Sequence, residues 1–327
     1  MESPSSLPDI QSTGDRRNVA INKVGVKAVR YPITLRTPGS GSGTGTQTTV
    51  ATINMFVGLP PEVKGTHMSR FLEVLNEYHE SLSSDMLSDI CRTMKERLNA
   101  EQVHLELSFP YFIDKKAPVT GRSGKLDIDV SFEMSSNGTD DFILGIKVPA
   151  TSLCPCSKEI SAYGAHNQRC ELTVRVRLSD GQHLWIEELF SMVEKCASTQ
   201  VFSVLKRPDE KWVTERAYEN PKFVEDIVRD MAIVLNADER IVWYECFSEN
   251  LSPFTIITPM LTSVRLSDNQ IRPRGSHRCQ ERSARRRSAS LVKWPVKISE
   301  KAFDAFKCEV YSVNGFHSRN GLDAYAV

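Results

Sequence analysis

Residues 103–109, VHLELSF, and 126–133, LDIDVSFE, alternate apolar and polar side chains along their length. Alternation with a period of two predicts β-strands that bury one face and expose the other. The two stretches therefore predict two half-buried strands.

The segments that precede these strands extend the sheet into a recognisable order of elements. Two β-rich segments are followed by two segments with helical apolar spacing, and their ranges are 19–35, 48–57, 69–78 and 85–98. Gly25 and Pro32 are expected to break the first of them. Residues 19–135 therefore predict a module with the order ββααββ.

The second half of the chain repeats this order. Strands are predicted at 142–148, 171–178 and 241–247, and helices at 185–196 and 223–235. A last strand is expected to follow, which makes residues 136–250 a second module, although the two halves share no sequence identity. The predicted fold class is α+β, with two ββααββ modules, antiparallel sheets and helices on one face.

Composition restricts the class of protein. The chain has 327 residues, with 41 Lys+Arg balanced by 41 Asp+Glu, so its net charge gives no reason to expect nucleic acid as a partner. No apolar run approaches the ~20 residues of a membrane-spanning helix, which predicts a chain without a membrane partner. Neither a signal sequence nor a disulfide framework is apparent, and a cytoplasmic location is expected.

The two ends differ from the rest. Residues 1–18 are rich in Ser, Pro, Asp and Gly and are predicted to be disordered. Residues 252–327 carry 13 Lys+Arg and 6 Asp+Glu, including the basic stretch 282–290. Because no aromatic residues lie between its arginines, this segment is interpreted as a solvated, disordered basic tail and not as a nucleic-acid-binding arm.

The stretch from Val148 to Cys170 contains the densest set of reactive side chains. Cys154 and Cys156 flank a proline, and His166 lies in a Gly/Ala turn. Such a loop can place thiolate and imidazole on one metal, but its spacing is not that of structural zinc sites, and a closed four-ligand site would need both cysteines and a further ligand such as Cys170. Spacing alone leaves open inert cysteines with an ordinary histidine, or a nucleophilic Cys156 activated by His166.

Two further stretches carry charges of interest. Glu210 is predicted to lie in a loop, because Pro208 opposes regular structure, whereas Glu225 falls on a helix. Residues 64–71, KGTHMSRF, begin another helix, whose free N–H groups together with Arg70 can receive phosphate. Ordinary capping and solvated helix charges explain the same residues without any ligand.

Taken together, LCPCSKEISAYGAHNQR (153–169), KGTHMSRF (64–71) and KRPDEKWVTERAYENPKFVED (206–226) closely resemble the type IB GTP cyclohydrolase I family, over residues 18–250. The resemblance implies a tunnelling fold, in which subunits pair their sheets into a barrel with sites at the interfaces, and a homo-oligomer built as a dimer of dimers. It also implies metal-dependent hydrolysis of GTP to 7,8-dihydroneopterin triphosphate and formate, the first step towards folate or queuosine precursors.

The resemblance assigns roles to individual residues. Cys154, His166 and Glu210 match the family's ligands for a catalytic divalent metal, which can be zinc, manganese or iron. Cys156 matches the neighbouring thiol, and Glu225 matches the acid that anchors the guanine edge. Two cations are candidates for binding the triphosphate on charge alone: Arg70 and Lys206.

The chain leaves the family pattern after Asn250. The family continues with a motif of the type FESIHNH, which supplies an acid and histidines, whereas this chain has LSPFTIITPMLTS at 251–263. Permitted codons for that stretch, read in threes after one added T, give FESIHNHNSYAYV. We therefore predict that residues 251–327 are an out-of-frame or disordered tail and that the last strand is lost. The alternative functions are then a catalytically inactive relative or a structural-zinc binding protein.

Overall fold

The computed structural model describes residues 11, 13–39, 44–78, 84–251 and 260–265. Its first six elements follow the predicted order ββααββ. They are β1 (Ile21–Pro38), β2 (Thr44–Leu59), α1 (Met68–Tyr78), α2 (Ser84–Leu98), β3 (Val103–Lys116) and β4 (Ser123–Asn137). The strands predicted at 103–109 and 126–133 are both present, and each is longer than its alternating stretch.

The second half contains all the predicted elements and three that were not predicted. Its elements are β5 (Thr139–Leu153), α3 (Pro155–Ile160), β6 (Asn167–Leu178), α4 (Ile186–Glu194), β7 (Thr199–Gln200), α5 (Arg207–Glu219), α6 (Val224–Ala237), β8 (Ile241–Asn250) and β9 (Met260–Arg265). The additions are α3, β7 and α5. Among the described residues, no helix combines the length and the apolar character that crossing a membrane requires.

All strand pairs are antiparallel, in the order β1-β2-β3-β4-β5-β6-β8-β9, with β7 pairing with β5 off this path. A tight β4–β5 hairpin, with Asn137 opposite Thr139, continues the sheet from the first half into the second. The predicted α+β class with an antiparallel sheet is confirmed.

The helices cover the apolar face of this sheet. Alternate side chains of β3, such as Leu105 and Leu107, are buried and form one core cluster with Phe71 of α1 and Met94 of α2. The other face carries charges, for example Arg175, which pairs with Glu133 and Glu245 at 2.7 and 2.9 Å. The alternation of the sequence thus separates an apolar helix-covered face from a polar face.

The predicted break of the first strand is wrong, because β1 continues through both Gly25 and Pro32. A Cβ at Gly25 would lie 2.0 Å from the carbonyl oxygen of Met55, so only glycine allows β2 to approach this closely. Pro32 is tolerated because β1 is an edge strand, where a missing N–H need not leave a ladder bond unmade.

The predicted loss of the last strand is also wrong for this structure. Residues Met260–Arg265 pair with β8, with Met260 opposite Asn250 and Arg265 opposite Glu245. The backbone N–H and C=O groups of β8 need partners, and any extended segment can supply them whatever its side chains. The rest of the predicted tail, residues 252–259 and 266–327, lies outside the described residues.

The predicted disorder of residues 1–18 is wrong for the part that the structure describes. The backbone of Gln11 and Thr13 accepts hydrogen bonds from Gly65 and Lys64, both at 3.2 Å, and Asp15 donates to the carbonyl of Glu62 at 2.9 Å. Backbone pairing therefore compensates for a composition that is poor in apolar side chains. Residues 1–10 and 12 lie outside the described residues.

A buried ion pair joins the first half of the chain to the second. Lys115 of β3 donates to Glu194 of α4 at 2.5 Å, and the two side chains are only 7% and 10% exposed. The ammonium also lies 4.3 Å from the ring centre of Phe202. Burial lowers the pKa of Lys115, although Glu194 opposes this effect.

Replacing Lys115 is expected to destabilise the protein strongly. Lys115→Met leaves Glu194 buried without its partner, which is expected to lower the free energy of unfolding by about 3–5 kcal/mol. The matched control is Lys125→Met, because Lys125 pairs with Asp114 at the surface, with both side chains more than half exposed. That variant should lose less than about 1 kcal/mol in urea denaturation. Equal losses in the two variants would contradict this view of the buried pair.

Candidate functional site

The β5–β6 hairpin brings Cys154 and His166 together. The last pair of the ladder is Leu153 opposite Asn167, so the residues just beyond it face each other at the mouth of the connecting loop. The backbone N–H of Cys154 donates to the carbonyl of His166 at 3.2 Å. Gly164 has a φ of 122°, which side chains other than glycine rarely adopt, and so allows the loop to return to His166.

Ser157 connects these two residues and was not predicted from the sequence. Its hydroxyl donates to the carbonyl of Cys154 at 3.0 Å and accepts from the N–H of His166 at 3.2 Å. Its own N–H points at the sulfur of Cys154, 3.5 Å away. A small hydroxyl three residues after a cysteine, at the start of a short helix, is the one signal that could have indicated this role.

The other cysteines of this region are placed differently. Cys156 is exposed on α3, whereas Cys170 is buried in β6, and burial raises the pKa of its thiol to about 12. Cys170 is four residues after His166 along the extended strand, which corresponds to a separation of about 13 Å along the chain. The structure therefore does not support a closed zinc site that uses Cys170 together with Cys154, Cys156 and His166.

The predicted loop around Glu210 is wrong, because Glu210 lies in the first turn of α5. Pro208 is the second residue of this helix, a position where its missing N–H has no intrahelical acceptor anyway. The Glu210 side chain is exposed. Lys206 lies immediately before the helix, and its backbone N–H donates to Asp209 at 2.9 Å.

Asp209 fixes the start of α5 against the first half of the chain. Its fully buried carboxylate accepts from the N–H groups of Val119 and Thr120, both at 2.9 Å, and from the Thr120 hydroxyl at 2.7 Å. Burial alone would raise the pKa of Asp209, but these hydrogen bonds outweigh it and hold the pKa well below its usual range. The carboxylate thus fixes the position at which α5 begins, and Glu210 is the next residue in the first turn of that helix.

We expect Asp209→Asn to lower the melting temperature at pH 7, because an amide N–H₂ group would face N–H and O–H donors. A lowered folded-state pKa contributes stability that is complete above the ordinary aspartate pKa of about 3.9 and is lost as pH falls through the folded value. The difference between parent and variant should therefore shrink below about pH 4. Melting curves between pH 2 and 7 measure this, and a constant difference would contradict it.

Glu225 lies in the first turn of α6 and is half-buried. No described residue donates a hydrogen bond or pairs in charge with its carboxylate, so its oxygens can accept from a ligand. The connection from α5 to α6 places this turn beside the hairpin, because the N–H of Lys222 donates to the carbonyl of Leu153 at 3.1 Å. Glu225 is three residues after Lys222, and Cys154 directly follows Leu153. Both residues are therefore close in sequence to this hydrogen bond.

The remaining predicted residues lie apart from this group. Glu210 lies ten residues before Asn220, which follows α5 and is two residues before the contact of Lys222 with the hairpin. Ten helical residues correspond to about 15 Å of helix rise. Arg70 lies on α1, where its guanidinium donates to the carbonyl of Arg97 at 2.9 Å and so caps the end of α2. In the part of the chain that the structure describes, no three His, Cys, Asp or Glu side chains are close enough to hold one metal ion.

Cys154 and His166, whose backbones are in contact at the hairpin, carry side chains of types that bind divalent metals. Thiolate and imidazole are ordinary ligands of zinc and iron, and both residues are half-buried at the mouth of the loop. Cys154 and His166 fit this role, whereas Glu210 is not near them within a single chain. The assignment of Cys154, His166 and Glu210 as metal ligands stays a prediction.

The sequence is similar to one family of known proteins. The family described as Type I GTP cyclohydrolase folE2 matches residues 7–253. Proteins named GTP cyclohydrolase FolE2 are 51% identical over 246 residues in Geobacter metallireducens, covering 75% of this chain and 92% of that one, and 54% identical over 245 residues in Magnetococcus marinus, covering 75% and 90%. Among solved structures, uricase from Arthrobacter globiformis has a TM-score of 0.45 at 9% identity, covering 80% of this chain and 96% of that chain. The family match spans three quarters of the sequence and includes Cys154, His166 and Glu225. The chain therefore belongs to the type I GTP cyclohydrolase FolE2 family, with its tunnelling fold.

Proposed function

We propose that this protein is a GTP cyclohydrolase that hydrolyses GTP to 7,8-dihydroneopterin triphosphate and formate with the help of a divalent metal. The observation that carries the proposal is the backbone hydrogen bond between Cys154 and His166, which places the two residues side by side at the mouth of the β5–β6 hairpin. The family match supports GTP as the substrate. A role in folate or queuosine precursor synthesis, a cytoplasmic location and an assembly of paired dimers remain predictions from the sequence.

Cys154 and His166 would hold the metal, with Glu210 as the predicted third ligand. A bound zinc, manganese or iron ion would supply Lewis-acid chemistry, which lowers the pKa of a water molecule near C8 of the purine. Because Glu210 is remote from the hairpin in one chain, we propose that it contributes in the assembled oligomer. Cys156, exposed on α3, is available for proton transfer during ring opening.

Glu225 would recognise the guanine. A carboxylate can accept hydrogen bonds from both the N1–H and the amino group of guanine, and adenine offers no such pair of donors. The absence of a partner for Glu225 among the described residues supports this role. Arg70 and Lys206 remain candidates for the triphosphate; Lys206 is exposed, whereas Arg70 already donates one hydrogen bond within the protein.

We also propose that residues from about Leu251 onward are an out-of-frame translation. The family match ends at residue 253, and the recovered reading FESIHNHNSYAYV begins at 251. Its positions 260–263 read Tyr-Ala-Tyr-Val, of which Tyr and Val are enriched in strands, at the place where β9 pairs with β8. The genomic sequence and transcript test this, because an intact frame with no neighbouring T would rule it out.

The position of the break bears on activity. Asn250 lies opposite Cys170, and the N–H of Leu251 donates to the carbonyl of Arg169 at 2.9 Å. The recovered motif, which starts at position 251, would therefore begin beside Arg169 of β6, three residues along the chain from His166. This favours a second candidate function for the chain as written: a protein that still binds metal and guanine nucleotide but turns over GTP slowly or not at all.

Cobalt(II) binding tests the proposed metal site. The parent chain is expected to show a sulfur-to-cobalt absorption band, and Cys154→Ala is expected to lose it, with affinity reduced at least about tenfold and the melting temperature nearly unchanged. The control is Cys156→Ala, which should keep the band. Unfolding of Cys154→Ala would indicate a structural metal site instead, and a retained band would exclude Cys154 as a ligand.

A further inference from the structure

The backbone of Lys222 links the hairpin to the start of α6. Its N–H donates to the carbonyl of Leu153 at 3.1 Å, and its carbonyl accepts from the hydroxyl of Ser152 at 2.9 Å. Leu153 is the residue directly before Cys154, and Lys222 is three residues before Glu225. Two hydrogen bonds thus join the segment just before Glu225 to the segment just before Cys154.

The side chain of Lys222 adds two contacts in other directions. Its ammonium donates to the carbonyl of Cys196, just after α4, at 2.8 Å, and to Asp230 in the second turn of α6 at 2.7 Å. The side chain is only 15% exposed. Because Asp230 lies on the same helix as Glu225, the second contact restrains the rotation of α6 about its axis.

Neighbouring side chains complete the arrangement. Asn220 donates to the carbonyls of Ala197 and Ser198 at 3.1 and 3.0 Å, and the Ser198 hydroxyl accepts from the N–H of Leu153 at 3.0 Å. The connection from α5 to α6, the segment after α4 and the end of β5 are therefore tied to each other around Leu153. Lys222, which lies in the connection itself, contacts both of the other segments.

We propose that Lys222 is a positioning residue that holds the Glu225 carboxylate in register with the Cys154–His166 loop. This inference rests on the proposed function, in which guanine is anchored at Glu225 while its C8 atom faces the loop. The protein must then contact both ends of one rigid purine at the same time. A displacement of about 1 Å in either contacting group can reduce the efficiency of such a site by up to ~100-fold. Loss of the ammonium removes the contacts to Cys196 and Asp230 but leaves the backbone bonds in place.

The test compares Lys222→Met with Lys222→Arg in the full 327-residue chain loaded with cobalt(II). We expect Lys222→Met to raise the dissociation constant for GTP about tenfold while cobalt affinity stays within twofold of the parent. Lys222→Arg can still reach a carbonyl and a carboxylate, and it should restore GTP binding to near the parent value. The matched control is Arg229→Met, because Arg229 is an exposed cation on the same helix that pairs with Asp226.

The outcomes separate a positioning role from a merely structural one. A lower melting temperature for Lys222→Met with unchanged GTP binding would overturn the inference, as would equal weakening by Arg229→Met. If Lys222→Met does not fold, Asp230→Asn, which keeps the Cys196 contact, should weaken GTP binding in the same direction by a few-fold, and no change would again overturn it. Failure of the parent chain to bind GTP would instead remove the proposed function, together with this inference.

Discussion

Inserting one T before the codon of Leu251 is expected to raise GTP turnover by at least about 100-fold over the chain as written. The restored reading supplies an acid and histidines that can transfer protons, next to a hairpin that already holds Cys154 and His166. It also places aromatic and β-branched residues at the positions of β9, where they can pair with β8. The fluorescence of the oxidised pterin product measures this gain.

Truncation provides the control for this prediction. Removing residues 252–327 without replacement should leave cobalt binding unchanged, because the predicted metal ligands all precede the break, and it should not restore turnover. Full activity of the unrepaired chain would contradict the account, because other residues would then perform the work assigned to the missing motif.

Glu225→Gln is expected to weaken GTP binding by about 2–4 kcal/mol, because the amide presents a donor where the guanine edge needs an acceptor. Stability should change little, since no described residue bonds to this carboxylate. The dissociation constant for GTP, measured on the frame-restored protein by calorimetry, gives the size of the effect.

The control for Glu225→Gln is Glu239→Gln, which makes the same chemical change at an exposed position after the end of α6. It should bind GTP as the parent does. If Glu225→Gln also bound GTP normally, Glu225 would be an ordinary helix charge and the guanine would be recognised elsewhere.

Much of the fold could be predicted because it follows from local periodicity. The alternation in Val103–Phe109 predicts both the strand and its buried face, and the structure confirms each. The helical position of Glu210 was missed because Pro208 was given its role in a helix interior, whereas it occupies the first turn. The continuity of β1 was missed because it depends on which strand lies at the edge, and no local pattern reports that.

The site was predictable in its reactive residues and not in its supporting contacts. Cys154 and His166 are recognisable by residue type and by their loop, and the hairpin register then explains their contact. Lys222 resembles any surface lysine in the sequence, and its contacts depend on three segments that meet only in the folded chain. The distance of Glu210 from the hairpin is likewise a property of how α5 packs.

Simultaneous measurement of formate and inorganic phosphate released from GTP tests the central claim most directly. The frame-restored protein should release one formate per GTP consumed and no phosphate when loaded with zinc, manganese or iron, and neither product after chelation. Phosphate release without formate would show an ordinary nucleotide phosphatase. Formate release that persists in the chelated protein, or in Cys154→Ala, would contradict a metal centre on the β5–β6 hairpin.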